Sequence, residues 1–119
     1  MKKTVVLGAS LKEDSYANLA MHRLAARQIE TVGIGMREGI VAGFPVYTGT
    51  PHIGDVHTLT LYLNAKRQAP ITDYILSLHP KRVIFNPGTE NKVLYTLLEK
   101  NGIETIQACT LVMLATDQY

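Results

Sequence analysis

Gly8-Ala9-Ser10, with Lys12 just beyond, is the first place where residue type and spacing bring chemistry within reach. Glycine lets the chain turn tightly, the small Ala9 lets a ligand approach the backbone, and Ser10 offers a hydroxyl and an N–H. A helix opening behind such a turn presents free amides and the positive end of its dipole, which favour a phosphate. The same residues also suit a strand-to-helix turn that binds nothing, and spacing alone leaves both readings open. Lys12 and Arg37 are cations able to meet phosphates, although most of the 12 basic residues serve as solvated surface charges.

Groups for covalent or acid–base chemistry do not assemble into a set. His22, His52, His57 and His79 have no i, i+4 ligand spacing and accompany no cysteine cluster, so they suggest no zinc site. Ser10 has no evident histidine and aspartate partners for a triad. Cys109 stands alone in an apolar run, where a cysteine usually behaves as a small hydrophobe. Glu90 and Asn91 follow Pro87-Gly88 at an expected helix start, where capping and dipole complementarity account for them. Ligand binding without catalysis fits this set better than an enzyme does.

The elements that must position these residues alternate. Thr4-Val5-Val6-Leu7 is a continuous apolar run, as in a strand buried on both faces of a parallel sheet. A helix is expected over about 16–28, capped by Asp14 or Ser15, and a second strand over Thr31-Val32-Gly33-Ile34-Gly35. The Gly-, Pro- and Thr-rich stretch from Met36 to Gly54 reads as a long connection with local turns. His57 to Leu63 reads as the third strand and Val83-Ile84-Phe85 as the fourth, with a helix from Pro70 to about Leu78 between them. Thr89 is placed to cap a helix over 90–100, and Glu104 to Cys109 reads as a fifth strand, with Thr110 to Leu114 extending or flanking it. This alternation predicts an α/β, Rossmann-like three-layer sandwich with a five-stranded, mostly parallel sheet, in one domain over residues 1–119. In such sheets ligands sit beyond the carboxyl ends of the strands, where the strand order reverses. The turns expected there begin at Gly8, Gly35, Asn64 and Asn86.

Charge narrows the ligand. A net charge of +2 from 12 basic and 10 acidic residues lacks the dense basic face of a nucleic-acid binder. It leaves room for a small phosphorylated molecule. A dinucleotide fingerprint needs G-x-G-x-x-G at the first turn, which Gly8 and its followers do not complete. NAD would also want an acid at the end of the second strand, where the chain has Met36-Arg37 and only Glu38 nearby. A cation there suits an extra ribose phosphate, as in NADP or the 3′-phosphate of coenzyme A. The opening segment lacks the long apolar stretch and cleavage site of a secretory leader, and no apolar run approaches the ~20 residues that cross a bilayer. With a single cysteine, these features predict a cytoplasmic protein with no membrane partner. A protein partner or homo-oligomer is left open.

Five short motifs in order carry a resemblance. They are V-V-L-G-A-S (Val5 to Ser10), G-F-P-V-Y (Gly43 to Tyr47), L-Y-L-N-A-K-R-Q (Leu61 to Gln68), N-P-G-T-E-N (Asn86 to Asn91) and the Cys109 strand. From Val5 to about Val112 the chain resembles the small coenzyme A-binding domain proteins, relatives of the nucleotide-binding domain of the succinyl-CoA synthetase α chain. The resemblance implies coenzyme A, or an acyl-CoA, lying across the strand ends. Gly8, Ala9, Ser10 and Lys12 would approach its diphosphate, and Gly35, Met36 and Arg37 its adenosine and 3′-phosphate. Leu63, Asn64 and Arg67 would border it at the third strand end, with Pro87 and Gly88 along the pantetheine. The chain departs from the family pattern at Leu11, at Gly35-Met36 and at Gln107, where relatives carry Pro, Asn-Pro and Asp. The histidine that the synthetases phosphorylate lies on a separate domain, so ligase activity does not follow. An NADP- or other nucleotide-dependent enzyme or subunit, and a ligand-free interaction domain, are the alternatives. If Arg37 meets the 3′-phosphate, Arg37→Ala weakens coenzyme A more than dephospho-coenzyme A in parallel titrations; equal losses would place Arg37 elsewhere.

Overall fold

The apolar run at the start of the chain is buried on both faces, as its lack of alternation requires. In the structure, a computed structural model describing residues 2–119, Thr4–Ala9 forms the central strand β1. Val5 and Leu7 enter one core, and Val6 and Ala9 enter the other. The remaining strands are Thr31–Gly35 (β2), Gly39–Val41 (β3), Phe44–Tyr47 (β4), Thr58–Leu61 (β5), Arg82–Phe85 (β6) and Glu104–Gln107 (β7). They form one sheet in the order β3-β4-β2-β1-β5-β6-β7, parallel throughout except for the β3–β4 hairpin.

Helices cover both faces. Tyr16–Ala26 (α1) and Thr110–Ala115 (α5) lie over one, where Ala17, Met21, Leu24 and Leu114 meet Val6, Val41 and Val46. Ala65–Gln68 (α2), Thr72–Ser77 (α3) and Lys92–Lys100 (α4) belong to the other side. There Ile75, Leu94 and Leu98 meet Val5, Leu59, Leu61, Val83 and Phe85. These are the three layers of a doubly wound α/β domain. No helix among the described residues is long and apolar enough to cross a membrane.

Seven strands stand where five are expected. The additional pair, β3 and β4, lies in the stretch read as a loop. Its two-residue turn, Ala42-Gly43, has φ of 53° and 84°. A turn with both central residues in the left-handed region usually announces itself as Asn-Gly or Asp-Gly. Alanine in the first position hid it, and strands of three and four residues, one carrying Pro45, gave no alternation to find. Other boundaries shift for local reasons. Asn64 caps α2 by accepting from the Arg67 N–H at 2.9 Å, so helical structure begins before Pro70, which opens a 3₁₀ turn linking α2 to α3. Asn91 caps α4 in place of Thr89. Thr110 to Leu114 flank β7 as a helix, and Cys109 is the cap position of that helix, outside any strand.

The rim at the amino ends of the strands is closed by polar groups. Thr4, Thr31 and Thr58 start their strands fully or almost fully buried. The Thr58 hydroxyl accepts from Arg82 Nε at 2.8 Å and lies 2.8 Å from His57 Nδ1. Arg82 lies 4.6 Å from the centre of the Tyr119 ring, with Lys2 5.9 Å from it. Tyr119 also bonds the Thr4 hydroxyl through its phenol and takes the Lys2 ammonium on its carbonyl. Burial, then the charges of Arg82, Lys2 and Lys81, hold the His57 pKa below its ordinary 6.5. The unfolded chain therefore binds this proton more readily than the folded one. Stability from this source is complete above pH 6.5, declines as pH falls below it, and levels off once folded His57 is protonated. Urea unfolding of the protein and of His57→Gln between pH 8 and 5 should show a shallower acid decline in the variant; parallel profiles would refute the assignment.

Candidate functional site

The site begins with a bulge. Register between β1 and β2 slips between Leu7 and Ala9, and Gly8 sits there at φ +99°. A Cβ on Gly8 would lie 2.9 Å from the Tyr62 carbonyl carbon, so only glycine fits where β1 runs out beside β5. Ala9 turns inward into the core below α1. Gly35 answers this bulge: a Cβ there would lie 2.2 Å from the Ala9 carbonyl oxygen. The Ser10 hydroxyl accepts from the Lys12 N–H at 3.1 Å, and its carbonyl accepts from the buried Asn18 amide at 2.9 Å. Ser15 caps α1 through the Asn18 N–H at 3.0 Å. The first amides of α1, on Tyr16 and Ala17, precede the helical ladder and have no acceptor within it.

Across from this turn, the ends of β5 and β6 are fixed by two buried amides. Asn86, 2% exposed, donates from Nδ2 to the Thr60 hydroxyl at 2.7 Å and to the Leu61 carbonyl at 2.8 Å. Its Oδ1 accepts from the Thr110 N–H at 2.8 Å, and its carbonyl accepts from the Thr89 hydroxyl at 2.7 Å. Gln68, fully buried, donates from Nε2 to the Leu63 and Thr89 carbonyls at 2.7 and 2.8 Å. Its Oε1 accepts from Asn91 Nδ2 at 2.8 Å. Three loops are thus bound to one another by side-chain amides.

Between these walls lies a cleft of 390 Å³ lined by Gly8, Ser15, Tyr16, Ala17, Tyr62, Leu63, Asn64, Arg67, Pro87, Gly88 and Thr89. It opens where the chain leaves β1 in one direction for β2 and in the other for β5, the switch point of the sheet. Arg67 is its cation. Among the described residues the ion pairs are Lys3–Glu30 and Arg27–Asp117, and neither involves it. Burial pushes the Tyr62 phenol up to about 12. The Thr60 and Thr110 hydroxyls offset part of that rise, yet no atom meets hydrogen-bond geometry with the phenol oxygen.

Of the residues expected at the ligand, Gly8, Leu63, Asn64, Arg67, Pro87 and Gly88 line this one cleft. Met36, 82% exposed, joins its edge through a 3.8 Å contact of its sulfur with Arg67 Nη1. Ala9 and Gly35 stand behind the wall and shape the bulge. Ser10 holds its own loop together, Lys12 and Arg37 project into solvent, and none of these three lines the cleft. Cys109 is half-buried and outside the lining. Ser15, Tyr16, Ala17, Tyr62 and Thr89 line the cleft although none is expected there as a ligand residue, and Asn86 and Gln68 support it from behind. Asn86 had a visible signal, a polar residue directly after a buried strand. Gln68 had none, because its partners lie on other elements.

Fold and cleft together define a doubly wound α/β domain with an open cleft at the switch point of its sheet. The chain matches the model of the CoA binding domain family over residues 2–115 and belongs to that family. Its fold recurs in a solved structure described as an uncharacterized protein, 47% identical, with a TM-score of 0.96 and coverage of 100% of this chain and 98% of that one. A hypothetical protein from Pyrococcus horikoshii OT3 shares the fold at 20% identity and TM-score 0.86, over 97% of this chain and 82% of its own. A Thermus thermophilus protein does so at 16% and 0.86, over 99% and 90%. Among curated proteins nothing matches.

The Asn86 amide is the testable support of the cleft. Asn86→Ala strands the Leu61 carbonyl and the Thr110 N–H, and should cost about 2–4 kcal/mol in urea unfolding. Asn86→Asp, which sets a carboxylate against that carbonyl, should be no better tolerated at neutral pH. A loss under about 0.5 kcal/mol in both would show that the network is dispensable.

Proposed function

We propose that this domain binds coenzyme A or an acyl-CoA through its nucleotide end at the carboxyl rim of the sheet, as a carrier, sensor or accessory module without catalysis of its own. Membership of the CoA binding domain family supports the ligand class. The observation that supports the placement is Arg67, which among the described residues has no carboxylate partner and lines a cleft that also contains the glycine bulge and the first residues of α1. A guanidinium and helix-terminal amides on one cleft suit a diphosphate. At the mouth, Tyr16 is 74% exposed and Met36 82% exposed, an aromatic ring and a thioether suited to cover an adenine. The cleft volume falls within the ~300–1,000 Å³ of small-molecule sites, so part of so long a ligand lies along the rim outside it. Tyr62, with its pKa at about 12, is a poor acid or base near neutrality, which favours binding over catalysis. The lone cysteine fits a reducing, cytoplasmic setting.

The test is a thermal-shift series with coenzyme A, acetyl-CoA, NAD, NADP and ATP. A ligand at ~100 times its Kd adds about 2.7 kcal/mol, a rise of about 10 °C for a domain of this size. Coenzyme A should give the largest rise, and Arg67→Ala should weaken it about tenfold or more without lowering the melting temperature of the free protein. A preference for NADP would favour a nucleotide-dependent enzyme or subunit, and silence with every nucleotide would favour an interaction domain. Gly8→Val, at first sight a direct probe of the turn, is unsuitable, because the positive φ and the Tyr62 backbone make it a folding variant.

A further inference from the structure

Gly88 forms one wall of the cleft, and its N–H is already engaged: it donates to Glu90 Oε1 at 2.9 Å. Gly88 has φ +91° with nothing within 4 Å of where a Cβ would stand, so this amide belongs to an open, left-handed loop position. Such an amide at a ligand rim is the kind of group that takes an anionic oxygen. Here the chain supplies the anion itself. Glu90 is exposed and belongs to neither ion pair among the described residues, so its charge is not cancelled by a neighbouring side chain. The wall of the cleft formed by the loops after β5 and β6 therefore has both a cation, Arg67, and a carboxylate seated beside Gly88.

We infer that Glu90 is a specificity-determining residue that admits a diphosphate followed by a neutral arm and turns away a nucleoside triphosphate. This rests on the proposal that the cleft binds coenzyme A. A diphosphate held by Arg67 and the start of α1 leaves its next group toward Gly88. In coenzyme A that group is the neutral pantetheine arm, whose hydroxyl and amide N–H groups can donate to the free Glu90 oxygen. In ATP it is a further phosphate, which meets the carboxylate already seated on the Gly88 amide. Two anions a few ångströms apart at a wet surface repel by about one order of magnitude in affinity at most, and salt screens the effect.

Calorimetric titration of the whole chain with coenzyme A and with ATP tests this, in the native protein, Glu90→Gln and a remote acidic control, Glu104→Gln, at the opposite rim. Glu90→Gln should tighten ATP about five- to tenfold at low ionic strength and change coenzyme A less than about twofold. The ATP gain should shrink toward nothing near 0.5 M salt, on the order of a few ångströms of screening length, and Glu104→Gln should reproduce none of it. Glu90→Ala should follow Glu90→Gln if the amide side chain disturbs the loop. Equal gains for both ligands, no gain for ATP, or a gain indifferent to salt would overturn the role of Glu90. Failure of coenzyme A to bind the native protein would instead overturn the ligand assignment on which that role rests.

Discussion

The Asn86 side chain is the constraint on which the carboxyl rim depends. Parallel strands end in loops that hydrogen-bond little to one another, so a rim made of several such loops needs some other cross-link to hold a shape. One buried amide does this for two neighbouring elements at once, because Asn has two donors and an acceptor. It fixes the end of β5 through Thr60 and Leu61 and the start of α5 through the Thr110 N–H, while the Asn86 main-chain carbonyl takes the Thr89 hydroxyl of its own turn. Gln68 repeats the device one layer out, tying α2 to the turn that leads into α4. Each bond lies in a low-dielectric setting where an unmet partner is costly, so the loops have one arrangement rather than several.

On the other wall the same end is reached by subtraction. Gly8, Ala9, Gly33 and Gly35 remove side chains where β1 and β2 approach each other and where β1 runs out beside β5. The bulge this permits turns the backbone toward the cleft and starts α1 at its edge. Glycines in β2 weaken it as an isolated strand. Ala9 lies against them: Cβ atoms built at Gly33 and Gly35 would stand 2.9 and 2.2 Å from atoms of Ala9.

Much of this was legible in the residue order. The buried strands β1 and β6 follow from continuous apolar runs, β2 and β5 from β-branched and apolar content, and the ends of β1, β5 and β6 do converge on one cleft. What escaped was encoded in backbone conformation or in distant partners. The Ala42-Gly43 turn carries no side-chain signature of its left-handed geometry, so the hairpin it closes read as loop. Gly35 looked like a ligand-facing glycine because spacing cannot tell close approach to a ligand from close approach to Ala9. Charge and a place after a strand end point to Arg37 and Lys12, yet both stand in solvent outside the cleft, whereas Arg67 is brought there by a helix whose cap, Asn64, sits in the same motif.

The segments around Lys2 and Tyr119 meet on the rim opposite the cleft, joined through Thr4 and the stacked Arg82 guanidinium. Seen from the cleft, this contact lies behind the sheet, so the mouth of the cleft and the Lys2–Tyr119 seam face opposite ways. One aromatic ring, close to two cations, latches that seam.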